Sequence, residues 1–273
     1  MRIGLNAGIF AGGPNPSEAV RLSAAAGAEG CELNVEETGP FSLETNSADL
    51  APIRSAAGAA GVALPSLHCG LHWKYPLTDP DAAIRRRGLA ALSRTLEIGA
   101  ELGCRVLLVV PGVVKPEVSY ADAYERALEG VGTLARRARE LGLRLGVENV
   151  WNRFLLSPLE MARFIDEAAA GNDAVGAYFD VGNILLYGYP QHWIGTLGRR
   201  ILAVHFKDYR IDVPGGGGFV HLLQGDVPWR ACVRALGAIG YDGFVTAELP
   251  PYRHLPERAC LDTVAAMRAI LAQ

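Results

Sequence analysis

Short runs of apolar residues alternate along the chain with longer segments in which apolar residues recur every three or four positions. A short apolar run is typical of a buried parallel strand, and the longer spacing is typical of an amphipathic helix. One helix is predicted where Ala127, Val131 and Leu134 follow one another at these steps. Eight strands are predicted, at Ile3–Asn6, Gly30–Asn34, Ala63–His68, Arg105–Val110, Leu143–Glu148, Val175–Asp180, Ile201–His205 and Phe244–Glu248.

Glycine and proline mark the ends of the predicted helices. A glycine just before a strand supplies the left-handed backbone that commonly ends a helix. Ser157 followed by Pro158 predicts a helix start, with a serine cap and a proline in the first turn. The glycines that precede predicted strands are Gly27, Gly61, Gly103, Gly142 and Gly240.

The strand–helix units follow one another without a linker or a change of composition. This order predicts an α/β fold, a single (β/α)8 TIM barrel, as one domain over residues 1–273. The length of 273 residues agrees with this fold, because such barrels commonly contain about 250 residues. A doubly wound open sheet is the alternative, but no early strand is followed by its GxGxxG turn. The glycine run Gly215–Gly218 comes late and predicts a mobile loop.

Composition and charge narrow the class of protein. The chain is 50% hydrophobic and 20% charged, which is typical of an ordered globular protein. A net charge of −3 and the lack of a basic stripe predict no nucleic-acid partner, and Arg85–Arg87 is interpreted as a solvated helix face. No apolar run approaches the roughly 18 residues of a membrane span, and the start lacks the layout of a secretory signal. We therefore expect a cytoplasmic protein without a membrane partner.

The cysteine pattern agrees with an intracellular location. The five cysteines include no CxxC pair, and an odd number leaves one unpaired in any disulfide scheme. Reduced thiols are therefore expected, serving as small buried apolar residues. They are Cys31, Cys69, Cys104, Cys232 and Cys260.

Candidate chemistry lies at the ends of the last four predicted strands, where a barrel places its active site. The four strand ends carry Glu148, Asp180, His205 and Glu248. One such residue alone is commonly a helix cap or an ion-pair partner, but four in series indicate a shared site. Three carboxylates would repel one another unless a cation lay between them. Oxygen-rich ligation with one nitrogen favours one Mn²⁺ ion, with Mg²⁺, Co²⁺ or Zn²⁺ as alternatives.

Five motifs resemble, in order, those of the xylose-isomerase-like TIM barrels: GVENVWNRFLLSP, FDVGN, VHFKD, GDVPW and GYDGFVTAE. This family includes ketose 3-epimerases, sugar-phosphate isomerases, hydroxypyruvate isomerase, inosose dehydratase and endonuclease IV. The resemblance implies that Glu148, Asp180, His205 and Glu248 bind one divalent metal. It also implies that the two glutamates form an acid/base pair on opposite faces of a bound ketose.

The implied reaction has a physical rationale. A metal that chelates a carbonyl and the neighbouring hydroxyl acidifies the hydrogen between them and stabilises an enediolate. One glutamate can remove this proton, and the other can return one to the opposite face. The resemblance therefore implies an epimerase or isomerase of a ketose or ketose phosphate. A lyase similar to inosose dehydratase and a non-catalytic sugar-binding barrel stay open as alternatives.

Substrate contacts are expected from residues that follow the strands. His68 ends strand three, and the nearby Trp73, with His72, could cover a sugar face. Lys207 and Arg210 could hold a phosphate or a polar sugar end, although Lys207 could instead form an ion pair on the rim. Arg153 is a further candidate.

Asn183 departs from the family pattern, because it stands where DxGH has a histidine. Its amide can hydrogen-bond a sugar hydroxyl but does not readily bind metal, and a helix cap is its alternative role. Strand four and GDVPW also lack the histidines of endonuclease IV, which disfavours a three-metal nuclease. The sequence is compatible with a homo-oligomer.

Overall fold

The structure is a computed structural model that describes all 273 residues. Its ten strands are β1 (Arg2–Asn6), β2 (Gly30–Asn34), β3 (Ser66–His68), β4 (Val106–Val109), β5 (Arg144–Glu148), β6 (Val175–Asp180), β7 (Ile201–Phe206), β8 (Asp208–Tyr209), β9 (Phe219–Val220) and β10 (Phe244–Ala247). Eight of them are parallel and close into a barrel in the order β1, β2, β3, β4, β5, β6, β7, β10 and back to β1. Consecutive strands therefore lie side by side, and their carboxyl ends meet at one mouth.

Helices surround this barrel. They are α1 (Pro16–Ala26), α2 (Ser47–Ala60), α3 (Leu71–Lys74), α4 (Ala82–Leu102), α5 (Tyr120–Glu140), α6 (Pro158–Ala169), α7 (Pro190–Leu197), α8 (Trp229–Ala238) and α9 (Arg258–Leu271). The predicted fold class, a single (β/α)8 TIM barrel, is confirmed, whereas the assignment of residues 1–273 to one domain stays a prediction. None of these helices has the length and apolar character needed to cross a membrane.

The predicted helix ends agree with the structure. Gly27, Gly61 and Gly103 follow α1, α2 and α4 with φ of 83°, 65° and 75°, a region that glycine enters without steric cost. Ser157 caps α6 by accepting a hydrogen bond from the Glu160 amide at 3.2 Å, and Pro158 is the first helical residue. These local signals mark where the helices begin and end, whereas β3 begins only at Ser66, three residues later than predicted.

Close packing inside the barrel explains one glycine of β5. A Cβ on Gly146 would lie 2.9 Å from Cβ of Tyr178 on the neighbouring strand β6. Tyr178 is fully buried and extends across the interior, so a side chain at position 146 would displace it. All five cysteines are buried and free, as predicted.

One element was absent from the prediction. β8 and β9 form a two-stranded antiparallel hairpin after β7, and Gly215–Gly218, expected as a mobile loop, form a short 3₁₀ helix within it. A Cβ on Gly218 would come within 2.5 Å of the Tyr209 ring. Aromatic packing thus holds the glycine run against the barrel, since Trp151 contacts both Tyr209 and Phe219.

Candidate metal centre and active site

Four metal-capable side chains meet at the mouth of the barrel. Glu148 ends β5, Asp180 ends β6, His205 lies near the end of β7, and Glu248 directly follows β10. These four strands are neighbours in the barrel, so one ligand atom from each residue lies within 4.8 Å of the others. Asp180 and His205 are fully buried, whereas the Glu248 side chain is 25% exposed. The cluster could hold a metal ion.

A hydrogen bond on its far side fixes the orientation of His205. Its Nε2 lies 2.8 Å from Oε1 of Glu32 on β2, across the barrel. The other ring nitrogen, Nδ1, therefore faces the carboxylates, at 3.3 Å from Glu248 Oε2 and 3.6 Å from Glu148 Oε1. A histidine that donates one N–H to a carboxylate while its other nitrogen faces a ligand cluster is the usual arrangement at metal sites.

Glu32 is a functional candidate that the sequence did not reveal. It is fully buried and accepts hydrogen bonds from Asn6 Nδ2 at 2.7 Å and from Ser66 Oγ and Tyr178 OH at 2.6 Å each. Burial opposes ionisation, but the His205 charge and these donors lower the pKa of Glu32 to about 2. The sequence did contain one signal for Glu32, its position in the middle of an apolar strand. A charged residue is rarely buried without a partner, so this position indicates a buried polar contact.

Lys207 places a positive charge among the carboxylates. Its Nζ lies 2.6 Å from Glu248 Oε2 and 3.2 Å from Asp180 Oδ2. Lys207 therefore forms its ion pairs with two of the candidate ligands and not on the rim, and its role toward substrate stays a prediction. The Lys207 ammonium therefore balances part of the negative charge of the carboxylate cluster.

The two glutamates have different protonation preferences. Burial, assisted by the charge of Glu248, raises the pKa of Glu148 to about 7. Burial acts in the same direction on Glu248, but the neighbouring His205 and Lys207 charges hold the pKa of Glu248 well below its usual value. Two carboxylates whose environments separate their pKa values are typical of acid/base pairs.

The donor set itself fits a divalent ion. Asp180 Oδ2 and His205 Nδ1 are buried and make no hydrogen bond of good geometry. The two atoms lie 4.0 Å apart and face charged groups, since Lys207 Nζ lies 3.2 Å from Asp180 Oδ2 and Glu248 Oε2 lies 3.3 Å from His205 Nδ1. A divalent ion between them would supply the partner that buried polar atoms normally have. Carboxylate oxygens with one imidazole nitrogen suit hard and borderline divalent cations.

A cavity of about 430 Å³ opens beside the cluster. Glu248, Lys207 and His68 line it, so the structure brings three of the predicted site residues to one space. The β8–β9 hairpin adds Phe219 and Val220 to the lining, and His221 follows directly after β9. His221 carried no recognisable motif, and only the folding of the hairpin over the mouth brings it here.

The remaining predicted substrate contacts lie outside this lining. Trp73 is 48% exposed, although its ring contacts that of the buried His72. Arg210 is paired with Asp212 at 2.6 Å, and Arg153 is exposed on a turn with φ of 60°. Their roles toward substrate stay predictions.

Asn183 is buried behind the ligands. Its Nδ2 donates to the Asn149 carbonyl at 3.0 Å, and its backbone N–H donates to Asp180 Oδ1 at 2.9 Å. Asn149 in turn exchanges two hydrogen bonds with the backbone of Asp180, at 2.8 and 2.9 Å. Asn183 and Asn149 therefore join the ends of β5 and β6 and hold the Asp180 carboxylate in place.

Asp208 organises the loop that follows the hairpin. Its carboxylate accepts hydrogen bonds from the amides of Tyr209, Gly225 and Val227 and from the Trp229 indole, at 2.9 to 3.2 Å. The VHFKD and GDVPW motifs are thus joined through Asp208. Adjacent residues of the VHFKD motif therefore make different contacts, since Lys207 pairs with the carboxylates of the metal cluster and Asp208 binds the amides of the loop after β9.

Comparison with known families agrees with this architecture. The family model described as xylose isomerase-like TIM barrel matches residues 20–270. The chain belongs to this family. The match begins within α1 and ends in α9, so it contains all four candidate metal ligands.

Curated relatives and solved structures extend the comparison. A putative L-ribulose-5-phosphate 3-epimerase, SgbU of Escherichia coli (strain K12), is 25% identical, covering 94% of this chain and 90% of that protein. A 2-epi-5-epi-valiolone 7-phosphate 2-epimerase of an Actinoplanes species is 29% identical, covering 76% and 72%. The crystal structure of a D-psicose 3-epimerase in the presence of D-fructose superposes with a TM-score of 0.82 at 21% identity, covering all of both chains. The similarity to the D-psicose 3-epimerase structure shows a shared fold.

Proposed function

We propose that this protein is a divalent-metal-dependent epimerase or isomerase of a ketose or ketose phosphate. The observation that carries the proposal is that three carboxylates converge at the mouth of the barrel with one imidazole whose Nδ1 faces them. The names of the relatives support it, since SgbU and its counterparts are described as epimerases of sugar phosphates and the structural neighbour as an epimerase of a free ketose.

The metal site would consist of Glu148, Asp180, His205 and Glu248. We favour Mn²⁺ over Mg²⁺, Co²⁺ and Zn²⁺ because three oxygen donors with one nitrogen and no thiolate match its preferences. When bound, such an ion polarises a carbonyl and a neighbouring hydroxyl and stabilises the negative charge that develops when a C–H proton is removed.

The two glutamates would move the proton. Glu148 and Glu248 belong to strand ends separated by β6 and β7, so they approach the mouth from different sides. Each carboxylate has two oxygens, so one oxygen could bind the metal while the other accepts or returns a proton. Removal by one glutamate and return by the other would invert the carbon between them.

Polar residues on the cavity wall would orient the sugar. Lys207 is the sole lysine or arginine on this wall, and together with His68 it is suited to a hydroxyl or phosphate oxygen. Asn183 would act from behind the ligands, whereas Trp73, Arg153 and Arg210 would have to approach from the loops. A cytoplasmic location and a homo-oligomeric state also belong to the proposal.

The proposal is tested by solvent exchange. A panel of ketoses and ketose phosphates is incubated with Mn²⁺-loaded protein in deuterated water and followed by NMR. We expect one carbon-bound hydrogen to exchange with deuterium while an epimer or an aldose accumulates. Loss of water from the product would instead indicate a lyase, and stoichiometric metal without exchange in any sugar would contradict an enzymatic role.

Two variants test the roles of the glutamates. Glu148→Gln and Glu248→Gln keep an oxygen donor but remove a base, so kcat should fall by a factor of about 10² to 10⁴ in each. The matched control is Glu125→Gln, which changes an exposed glutamate of α5 and should leave kcat unchanged. Turnover close to that of the unmodified protein in both variants would exclude the two-base mechanism.

A further inference from the structure

The opposite end of the barrel contains a second cavity, with a volume of about 310 Å³. It is formed where the strands begin, so the barrel interior separates it from the metal cluster. Its charged lining is unusual in composition, since it contains four arginines and a single acidic residue, Asp242. The arginines are Arg2, Arg105, Arg144 and Arg199.

The barrel topology explains why these arginines share one space. Arg2 begins β1 and Arg144 begins β5. Arg105 directly precedes β4, and Arg199 lies in the short 3₁₀ helix that leads into β7. Because the amino ends of parallel strands meet at one end of a barrel, side chains far apart in sequence form a ring around the same opening.

None of the four guanidinium groups forms an ion pair or donates a hydrogen bond within the protein. Other arginines of the chain do pair, as Arg137 does with Glu97 and Arg200 with Asp166. Arg2 makes one contact, with its guanidinium 4.1 Å from the centre of the Phe244 ring, which leaves its N–H edges free. The cavity thus collects hydrogen-bond donors and positive charge without the acceptors that would balance them.

We propose that this cavity binds a small phosphate-bearing anion. Guanidinium groups present paired N–H donors that match phosphate oxygens, and several of them around one cavity balance more than one negative charge. Arg2, Arg105 and Arg199 are exposed and Arg144 is half-buried, so a ligand can reach them from solvent. The volume of about 310 Å³ favours a compact ligand, and the arginines form a ring rather than the extended stripe that a nucleic acid would require. The cavity would be a binding site separate from the sugar site, because Ser66 and Tyr178 form its inner wall and donate to Glu32 beyond them.

The test is calorimetric titration of the metal-loaded protein with inorganic phosphate and, separately, with glycerol phosphate. We expect saturable binding at one site per chain that is lost in the double variant Arg144→Gln/Arg199→Gln. Hydrogen bonds to charged groups contribute enough that each substitution should weaken binding at least about tenfold. Tighter binding of glycerol phosphate than of inorganic phosphate would identify a phosphate ester as the ligand, and the reverse would identify free phosphate.

Control variants separate this site from the metal centre. Arg21→Gln removes an exposed, unpaired arginine of α1 and should bind phosphate as the unmodified protein does. Asp180→Ala, which weakens the metal cluster, should keep the phosphate site. Arg144→Lys/Arg199→Lys, which retains charge but not the paired donors, should show an intermediate affinity. The proposal is overturned if phosphate binding is equal in the unmodified protein and the folded Gln double variant, or if no saturable binding is found.

Discussion

Replacing Glu32 by glutamine tests whether a residue outside the ligand set controls metal affinity. Both oxygens of the Glu32 carboxylate accept hydrogen bonds. Asn6 and His205 contact Oε1, and Ser66 and Tyr178 contact Oε2. An amide NH₂ in place of either oxygen would point at donors and could no longer hold His205 as a carboxylate does. Loss of such a partner typically weakens metal binding by about 10- to 100-fold. This range corresponds to about 1.4 to 2.8 kcal/mol.

The assay is competition for Mn²⁺ between the protein and a fluorescent chelator. Glu29→Gln is the matched control, because Glu29 directly precedes β2 and accepts a hydrogen bond from the Ile3 amide, away from His205. Donors left unpaired around residue 32 also cost about 1 to 3 kcal/mol each, so the melting temperature of the Glu32 variant should fall. If folded Glu32→Gln bound Mn²⁺ as tightly as Glu29→Gln, the proposed link from Glu32 through His205 to the metal would be wrong.

Three further variants have expected outcomes. Asp180→Ala combined with His205→Ala should abolish stoichiometric metal after dialysis, as measured by elemental analysis, because two remaining ligands cannot complete the coordination shell; retained metal would contradict the site. Asn183→Ala should lower the melting temperature and leave metal content unchanged, since a buried hydrogen bond to Asn149 is lost at about 1 to 3 kcal/mol; a defect in KM alone would instead favour substrate contact. Asp208→Ala should lower the free energy of unfolding by at least about 1 to 3 kcal/mol in a denaturant titration, because buried amides lose their acceptor; an unchanged midpoint would refute its role as the loop anchor.

Local signals in the sequence determined the barrel and its repeat. The eight strands, the capping glycines and the Ser157–Pro158 helix start follow from backbone preferences and hydrophobic spacing within a few residues. The four candidate ligands could also be predicted, because each lies at the end of a strand and the carboxyl ends of parallel barrel strands meet at one mouth. For the same reason, the order of Glu148, Asp180, His205 and Glu248 along the chain predicted their proximity.

Barrel closure decided which side chains contact the candidate ligands from elsewhere in the chain, because it brings together residues that no local pattern connects. Glu32 lies 173 positions from His205 and reaches it only when β2 and β7 face each other across the interior. The β8–β9 hairpin brings His221 to the cavity, and the direction of the Asn183 side chain depends on the Asn149 carbonyl beside it. Side-chain direction and pairing at such points depend on contacts between distant strands, whereas the approximate strand positions follow from the local hydrophobic pattern.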